Sequence, residues 1–489
     1  MPPARATSSA RAGRILLERA GLGTVVFMGV DPNYALGPEE WLPRYRVVCR
    51  HETAVLPLLE RAGVEVLCLE REVGRDALPG RATAGLAGHA RVREWLTGLA
   101  RREGPISLLV FKPNAQVETL AREHGWHLLG APAAVARPLE NKVNFFKILD
   151  ELKLPHPPWE EVDLSCAGYD EVAQRLGERL VLQGAHGFSG NRTFAVDDAA
   201  QFAEAAQRLR QRRARVSARV PGTPATLNAC VQSDGTLRIG RLFHQVTGIP
   251  ECTVYPLGAC GNDWSAAPFQ EAVQWQAASI TRAIGRVLHQ RGFRGIFGVD
   301  FVVTPIHSVV TIEINPRLVS SIPMTTRLEA SVSRVPLLVY HLVATSAAAA
   351  RVELPDTADQ GTIDHDYPRL RGAQLVLHNL TGGAARVHGR LDAGIHRFAN
   401  GGLEFVRPSF QADECEGDEF LVLPPAEGHL LKAAGECARV QMRRPVLRFD
   451  QQIVEEPGVL TEEAAEIARA VHAALDLRPA DDADEGDDE

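Results

Sequence analysis

Residues 295–317 read GIFGVDFVVTPIHSVVTIEINPR, and this stretch decides how the rest of the chain is interpreted. Two short runs rich in Val, Ile and Phe flank a proline-containing turn, which is the pattern of a β-hairpin. If Thr304 pairs with Val309, then Asp300 falls directly opposite Glu313. Two carboxylates in that position repel each other unless a cation lies between them.

The two faces of this hairpin differ in chemistry. Asn315 follows Glu313 by two residues, so the alternation of side chains along a strand places both on the face of Asp300. A divalent cation with oxygen ligands, above all Mg²⁺ shared with phosphate oxygens, suits this polar face. The alternative is an exposed sheet face whose acids meet only water. The other face is predicted to be buried, and its residues are Val299, Phe301, Val303, Val310, Ile312 and Ile314.

The segments VDFVV and TIEINPR within this stretch resemble the metal-binding hairpin of the ATP-grasp superfamily, the ligases related to biotin carboxylase and carbamoyl-phosphate synthetase. The resemblance implies that Asp300, Glu313 and Asn315 hold Mg²⁺, or Mn²⁺, ions that bridge the phosphates of ATP. It also implies that Glu313, Asn315 and Arg317 are catalytic, with Arg317 contacting a phosphate or the activated carboxylate. A planar guanidinium is suited to either anion.

Composition limits the other classes of function. The chain has 489 residues and a net charge of −8, but its last ten residues contain seven acids and no base, which leaves −1 for the rest. Nothing therefore indicates a nucleic-acid surface. No apolar run approaches the ~20 residues of a membrane helix, and the start lacks the apolar core of a signal peptide. The eight cysteines contain no CxxC pair, so a cytoplasmic protein without a membrane partner is expected.

The order of the predicted elements indicates an α/β fold class, α+β overall. Strands alternate with helices over residues 22–137, which predicts a Rossmann-like parallel sheet without a dinucleotide fingerprint. The resemblance implies a pre-ATP-grasp domain there, followed by an ATP-grasp fold and a β-rich C-terminal domain. The expected divisions are a disordered leader at 1–21, the pre-ATP-grasp domain at 22–137, the ATP-grasp domain at 138–350 with its lid at about 165–217, the C-terminal domain at 366–477 and a disordered acidic tail at 478–489.

Residues 140–154, ENKVNFFKILDELKL, predict a helix with one apolar face. Lys142 lies near its N-terminus and off that face. A cation there opposes the helix dipole unless it meets an anion. The segment resembles the one in which ATP-grasp ligases place a lysine on the nucleotide phosphates, so Lys142 is a candidate for ATP binding. Lys112 and Asn114, which follow a predicted strand, could line the same cleft.

A glycine-bearing loop follows a strand that ends at Gln183. Gly187, Ser189 and Gly190 let backbone N–H groups approach an anion closely, and the loop resembles the flexible lid of ATP-grasp proteins. The preceding strand departs from that resemblance, because relatives place a second phosphate-binding lysine where this chain has Gln183. An amide can bond a phosphate but carries no charge. Whether Arg192 or His186 compensates is left open by the sequence.

The remaining candidates come from the hinge after the lid and from the strands beyond it. The resemblance implies that main-chain groups of Ala218, Arg219 and Val220 hold the adenine of ATP. The candidate substrate residues are Asn228, Gln245, Ser320 and Ser321, with Asn262 or Asp263 as a further contact.

The sequence therefore predicts an ATP-dependent carboxylate–amine ligase that works through an acyl phosphate and releases ADP. Its partners would be a small carboxylate and an amine, with amino acids or peptides favoured, and a homo-oligomer is compatible with the C-terminal part. One alternative is a biotin-carboxylase-type or carbamoyl-phosphate-type enzyme, although the glutamate base of biotin carboxylases is replaced here by Ser321. Another alternative, kept open by Gln183, is an ATP-binding protein with impaired catalysis.

Overall fold

The structure of the protein is a computed structural model. It describes residues 8–80, 83–187, 190–354, 368–399, 401–449 and 458–480.

The N-terminal part is a five-stranded parallel sheet with strand order β3-β2-β1-β4-β5. Its strands β1 and β4 are buried along their whole length, as expected for a sheet covered by helices on both faces. The elements are α1 Ser8–Ala20, β1 Thr24–Gly29, β2 Tyr45–Cys49, α2 Leu56–Arg61, β3 Glu65–Cys68, α3 Leu69–Val73, α4 Thr83–Gly88, α5 Ala90–Glu103, β4 Ile106–Val110, α6 Ala115–His124, β5 His127–Leu129 and α7 Ala133–Glu140. The expectation of a Rossmann-like parallel sheet is confirmed.

The prediction of a disordered leader at 1–21 is wrong for residues 8–20, which form α1. Leu16, Leu17 and Ala20 are buried in the core cluster that also contains the helix Leu337–Thr345. Burial of this apolar stripe stabilises a segment whose composition alone looks like a solvated leader. Residues 1–7 lie outside the described part of the chain.

A small antiparallel sheet with strand order β6-β9-β7-β8 occupies the region expected to be the lid. Two helices cover one face of it, and their apolar residues form a separate core with the strands. The elements from the lysine helix onward are α8 Lys142–Leu152, β6 Trp159–Asp163, α9 Tyr169–Leu176, β7 Leu180–Gln183, β8 Thr193–Val196, α10 Ala199–Leu209 and β9 Arg213–Ala218.

The large sheet has eleven strands and carries the hairpin at one end. From that end the order is β15-β14-β10-β12-β13, with β11 paired to β10, and five strands of the C-terminal part continue the sheet beyond β13. The helix α11 packs on its apolar face, beneath the hairpin. The elements of this middle part are β10 Thr223–Val231, β11 Leu237–Ile239, β12 Phe243–Thr247, β13 Ala259–Asp263, α11 Glu271–Gln290, β14 Gly295–Val303, β15 Val309–Asn315, α12 Ile322–Ser331 and α13 Leu337–Thr345.

The predicted register of the hairpin is confirmed at Asp300 and Glu313, but it is wrong near the turn. Asp300 does pair with Glu313, but Val303 pairs with Val309, because β15 has one extra residue, Ile312, in a β-bulge. The bulge reverses which side chains of β15 face the core before it. Val310 and Ile312, predicted to be buried, are therefore only half-buried. Val309 and Thr311 take the core positions, and each has no exposed surface.

The C-terminal strands continue the large sheet, since β13 pairs with β16. The elements of this part are β16 Ala373–His378, β17 Ala385–Val387, β18 Gly394–Ala399, β19 Gly402–Arg407, β20 Phe420–Leu423, β21 Leu430–Leu431, β22 Glu436–Met442, β23 Leu447–Arg448, β24 Val459–Leu460, α14 Glu462–Leu475 and β25 Leu477–Pro479. Residues 478–479 belong to β25, which pairs with β17. The predicted start of the disordered tail at residue 478 is therefore wrong for these two residues. Residues 481–489, the rest of that tail, lie outside the described part of the chain.

Across the described ranges, no helix is long and apolar enough to cross a membrane.

Candidate active site

Asp300 lies at the centre of a set of polar contacts on the open face of the large sheet. Its Oδ1 accepts hydrogen bonds from Thr226 Oγ1 at 2.7 Å and from Gln245 Nε2 at 3.2 Å. Its Oδ2 accepts one from Asn315 Nδ2 at 3.0 Å. Burial, and then the neighbouring Glu313, raise the pKa of Asp300 to about 6. The carboxyl group is thus held in place by three side chains beside a second acid.

Lys142 is ion-paired with Glu313, so α8 meets the hairpin at the second acid. Its side chain is 3% exposed, against 21% for Glu313, and the ammonium is therefore almost enclosed. Asn141 caps the helix by accepting hydrogen bonds at 3.1 Å from two backbone N–H groups of the first turn. The backbone N–H of Lys142 donates to the carbonyl of Ala185 at 2.9 Å, which ties α8 to the start of the glycine-bearing loop.

Arg317 is held in a fixed orientation at the end of the hairpin. Its Nε donates to Glu140 Oε1 at 2.9 Å and its Nη2 donates to Asn315 Oδ1 at 3.0 Å. Lys112 Nζ lies 3.4 Å from the other oxygen of Glu140. Burial opposes ionisation of Glu140, but Arg317 and Lys112 outweigh it and keep the pKa of that carboxyl below its usual value. The guanidinium of Arg317 also lies over the ring of Phe111, 5.4 Å from its centroid.

Gln183 is buried and does not stand alone at the end of β7. Its Nε2 donates to Thr193 Oγ1 at 3.0 Å, and its Oε1 accepts a hydrogen bond from Arg215 Nη2. Arg192 does not reach it, because Arg192 Nη2 donates instead to the carbonyl of Leu209 at 2.8 Å. The cation beside Gln183 is therefore Arg215, a residue that no local sequence pattern indicates.

The glycines of the predicted lid loop fit close backbone packing. Gly190 has φ +83°, and a Cβ there would lie 2.6 Å from the Cα of Gly258, so a side chain is excluded. A Cβ at Gly187 would lie 3.1 Å from Arg192 Cβ. Ser189, also predicted to bind ATP, lies outside the described residues.

The hinge residues lie at and beyond the end of β9. The N–H of Ala218 donates to the carbonyl of Pro158 at 2.9 Å, and the N–H of Arg219 donates to that of Arg179 at 2.7 Å. Among the described residues, the N–H of Val220 has no backbone partner. The assignment of adenine to this hinge stays a prediction, with Val220 as the donor that is still available.

The predicted substrate residues separate into two groups. Gln245 contacts Asp300 and therefore belongs to the polar face of the hairpin. Asn228 and Ser321 are buried next to each other, with Asn228 Nδ2 donating to Ser321 Oγ at 2.9 Å. The carbonyl of Ser320 accepts a hydrogen bond at 3.3 Å from the buried side chain of Gln374.

Asp263 has a structural role, which argues against a substrate contact. Its Oδ1 accepts the N–H groups of Ser265 and Ala266, each at 2.8 Å. Its Oδ2 accepts those of Val446 and Leu447, at 2.7 and 2.9 Å. The carboxyl group thus joins β13 to β23. Asn262 accepts a hydrogen bond from Gln374 at 2.9 Å.

Three residues of the site were not identified from the sequence. Thr226 could have been found, because it alternates with Asn228 along a strand. Glu140 directly precedes the two residues that cap and begin α8, but its pairing with Arg317 spans 177 positions. Arg215 gave no local signal, since its contacts lie on two other strands.

The donor set of the hairpin fits a divalent cation. Asp300 and Glu313 face each other with oxygen donors, and Asn315 Oδ1 lies on the same face. Burial, and then the repulsion from Glu313, raise the pKa of Asp300, so the ionised form of Asp300 is unfavourable without a cation beside it. A hard cation with oxygen ligands, such as Mg²⁺, would offset that cost.

A second group of potential metal ligands is already neutralised by arginines. His51, Glu70 and His429 bring ligand atoms within 4.8 Å of one another. However, Arg50 Nη1 lies 2.6 Å from His51 Nε2, and Arg75 is ion-paired with Glu70. These guanidinium groups already supply positive charge at this cluster.

Comparison with known proteins agrees with the geometry. Residues 139–321 match the family model described as the ATP-grasp domain. The arginine-specific large chain of carbamoyl phosphate synthase from Geobacillus stearothermophilus is 24% identical over 266 residues, which cover 53% of this chain and 24% of that protein. The chain thus spans about a quarter of the length of that relative. Asp300, Glu313, Asn315 and Arg317 all lie within the matched segment.

Solved structures show the same fold over most of the chain. The biotin carboxylase domain of 2-oxoglutarate carboxylase from Hydrogenobacter thermophilus has a TM-score of 0.59 at 10% identity, with 86% of each chain covered. Biotin carboxylase from Campylobacter jejuni has a TM-score of 0.58 at 11% identity, covering 94% of this chain and 93% of that one. N5-carboxyaminoimidazole ribonucleotide synthetase from Thermotoga maritima has a TM-score of 0.53 at 12% identity, covering 93% and 99%. The chain has the ATP-grasp fold, with a preceding α/β sheet and a β-rich C-terminal part.

Proposed function

We propose that the protein is an ATP-dependent carboxylate–amine ligase that forms an acyl phosphate and releases ADP and phosphate. The observation that carries the proposal is the pairing of Asp300 with Glu313. The buried Lys142 and Arg317, which is hydrogen-bonded to Glu140, lie beside this pair. Opposed acids suit a cation, and the two basic groups suit the phosphates that the cation would accompany. The similar structure from Hydrogenobacter thermophilus was solved with MgADP and bicarbonate, which supports nucleotide use by this fold.

In the proposed reaction the side chains neutralise charge and orient the reactants. Asp300, Glu313 and Asn315 would hold Mg²⁺, which when bound offsets charge on the ATP phosphates. Lys142 would donate to the phosphates from the lid side of the cleft. Arg317, already oriented by Glu140 and Asn315, would present its remaining N–H groups to the reacting carboxylate.

The proposed reaction makes and breaks bonds in two steps. An oxygen of the substrate carboxylate attacks the terminal phosphorus of ATP, and the bond from that phosphorus to ADP breaks. The amine then attacks the acyl carbon, phosphate leaves with its bonding electrons, and the amine loses a proton. Charge develops on the transferring phosphoryl group, where positively charged side chains are most effective.

The direct test is to supply ATP, Mg²⁺ and pools of small carboxylates and amines, with amino acids and peptides as the first set. Formation of ADP that depends on both organic substrates would support the proposal. AMP and pyrophosphate as products would contradict it, because the site is proposed to transfer the terminal phosphate.

The biotin-carboxylase-type alternative has less support from the site. Ser321 occupies the position where the resemblance leads one to expect a glutamate base, and it is 2% exposed and bonded to Asn228. A buried hydroxyl in that contact cannot replace a carboxylate base. Bicarbonate-dependent ADP formation in the presence of biotin, with no amine required, would favour the alternative over the ligase.

The alternative of an ATP-binding protein with impaired catalysis came from Gln183. The contact between Gln183 and Arg215 weakens that alternative, because a cation is present at this point after all. Tight binding of Mg-ATP without any ADP formation across the substrate pools would restore it.

A further inference from the structure

Arg215 is a fully buried cation between the lid sheet and the hairpin. It is 1% exposed and lies on β9 directly opposite Gln183. Its Nη2 donates to Gln183 Oε1, and its Nη1 donates to the carbonyl of Ile312 at 3.2 Å. The guanidinium also stacks over the ring of Phe146, 3.8 Å from its centroid. One side chain therefore joins three separate elements.

The charge of Arg215 is not matched by a contacting acid. Both of its hydrogen-bond acceptors are neutral, and its Nε has no hydrogen-bond partner among the described residues. The acid that acts on it electrostatically is Glu313, which is already paired with Lys142. Burial lowers the pKa of Arg215 to about 9, in spite of Glu313. A buried cation without a contacting anion is costly, and it is explained if an anion arrives during function.

The position of Arg215 shows where that anion would be. Gln183 ends the strand that leads into the glycine-bearing loop, and Ile312 is the bulge residue immediately before Glu313. The space between the loop and the hairpin is where the proposed function puts the phosphates of ATP. Arg215 contacts Gln183 on the loop side of this space and Ile312 on the hairpin side.

We infer that Arg215 is the second buried cation of the nucleotide-phosphate site and that it positions both Gln183 and the bulge next to Glu313. This inference rests on the proposed function, since it requires the phosphates of ATP to lie between the lid and the hairpin. The inference explains how β7, which ends in the uncharged Gln183, can lie next to the negatively charged phosphates of ATP, because Arg215 supplies the positive charge. It also implies that a lysine at position 183 would be repelled by Arg215.

The test measures binding of Mg-ATP, Mg-ADP and adenosine by calorimetry. Arg215→Met removes the charge but keeps a side chain that can pack on Phe146, so the fold should persist, as checked by thermal unfolding. Its affinity for ATP and ADP should fall by about tenfold or more, the effect of losing a charged partner, while its affinity for adenosine stays unchanged. Arg213→Met is the matched control, because Arg213 lies on the same strand and its side chain is 72% exposed.

Charge relocation provides the second arm of the test. Gln183→Lys alone should weaken ATP binding, because two cations would then be in contact inside the protein. The double variant Gln183→Lys/Arg215→Met moves the charge across the strand pair and should recover most of the lost ATP affinity. Arg215→Lys keeps the charge but loses the fork, so it should bind ATP better than Arg215→Met.

Three results would overturn the inference. Arg215→Met could bind ATP as well as the wild type, or it could lose adenosine affinity to the same extent as ATP affinity, which would indicate a merely structural role. The double variant could also bind ATP no better than Arg215→Met. If the wild-type protein binds no Mg-ATP, the proposed function fails and the inference fails with it, an outcome distinct from the other three.

Discussion

The ion pair between Lys142 and Glu313 joins the helix proposed to bind phosphate to the strand proposed to bind metal. Glu313 therefore occupies the place beside Lys142 that a phosphate would take. Lys142 likewise occupies the place beside Glu313 that a metal ion would take. Phosphates would compete with Glu313 for the ammonium, and a divalent cation would compete with Lys142 for the carboxylate. Binding of metal and of nucleotide should be coupled through this pair.

The first prediction concerns Glu313→Gln. Turnover should be lost because one negative charge of the proposed metal site is removed, while the half-buried position leaves the fold intact. Metal-free ADP should bind as well as, or better than, it binds the wild type, because Lys142 is no longer ion-paired. ADP formation and calorimetry with a chelator would check both parts. Glu204→Gln, at an exposed position on α10, is the control, and normal turnover by Glu313→Gln would contradict the assignment.

The second prediction concerns Lys142→Met, which retains the apolar stem and removes the charge. The Michaelis constant for ATP should rise about ten- to a hundredfold, the effect of losing a charged hydrogen-bond partner. Lys147→Met is a matched control on the same helix, since Lys147 is 54% exposed and paired with Glu161. Equal Michaelis constants for the two variants would place the phosphates elsewhere.

The third prediction concerns Arg317→Lys. A single ammonium cannot reproduce the guanidinium bonds to Glu140 and Asn315 together, so Glu140 would lose part of its neutralisation. The free energy of unfolding should fall by about 1–3 kcal/mol, and kcat should fall more than the affinity for ATP. Chemical denaturation and steady-state kinetics measure the two effects. Arg91→Lys, at an exposed ion pair with Glu72, should change neither.

The fourth prediction is a pH dependence of stability at the start of β14. His341 Nδ1 accepts the N–H of Ile296 at 3.0 Å, and burial lowers the pKa of His341 to about 4. The unfolded chain binds this proton more strongly than the folded protein, so stability should fall as the pH drops from about 6.5 towards 4, by up to about 1.4 kcal/mol per pH unit. His341→Gln should remove that part of the slope in denaturation curves.

His244 shifts in the same direction for the same reason, which supplies a control for the fourth prediction. The slope that remains in His341→Gln should decrease again in the double variant with His244→Gln, because burial lowers the pKa of His244 to about 4 as well. An unchanged slope in His341→Gln would show that this imidazole is already protonated or exposed in the folded protein.

The polar face of the hairpin could be predicted because strand alternation depends only on nearby residues. Asp300 and Glu313 do face each other. However, β15 contains an extra residue, Ile312, between the turn and Glu313, and the sequence does not distinguish it from its neighbours. Every position of VVTIE is compatible with a strand. The prediction was therefore right at the acids and wrong for Val310, on the turn side of the bulge.

Contacts between distant elements could not be predicted from local patterns. Arg215 faces Gln183 only because β7 pairs with β9, and the two positions are 32 residues apart in the sequence. The first helix was missed because its stability comes from α13, more than three hundred residues away.

The pairing of β13 with β16 makes β13 an interior strand of the sheet that carries the acids. A chain cut near residue 350 would turn β13 into an edge with unpaired backbone groups, which invites association with other chains. The C-terminal residues are therefore part of the same folding unit as the hairpin, and they cannot be treated as a removable appendix. A fragment ending at the matched segment should aggregate instead of retaining a working nucleotide site.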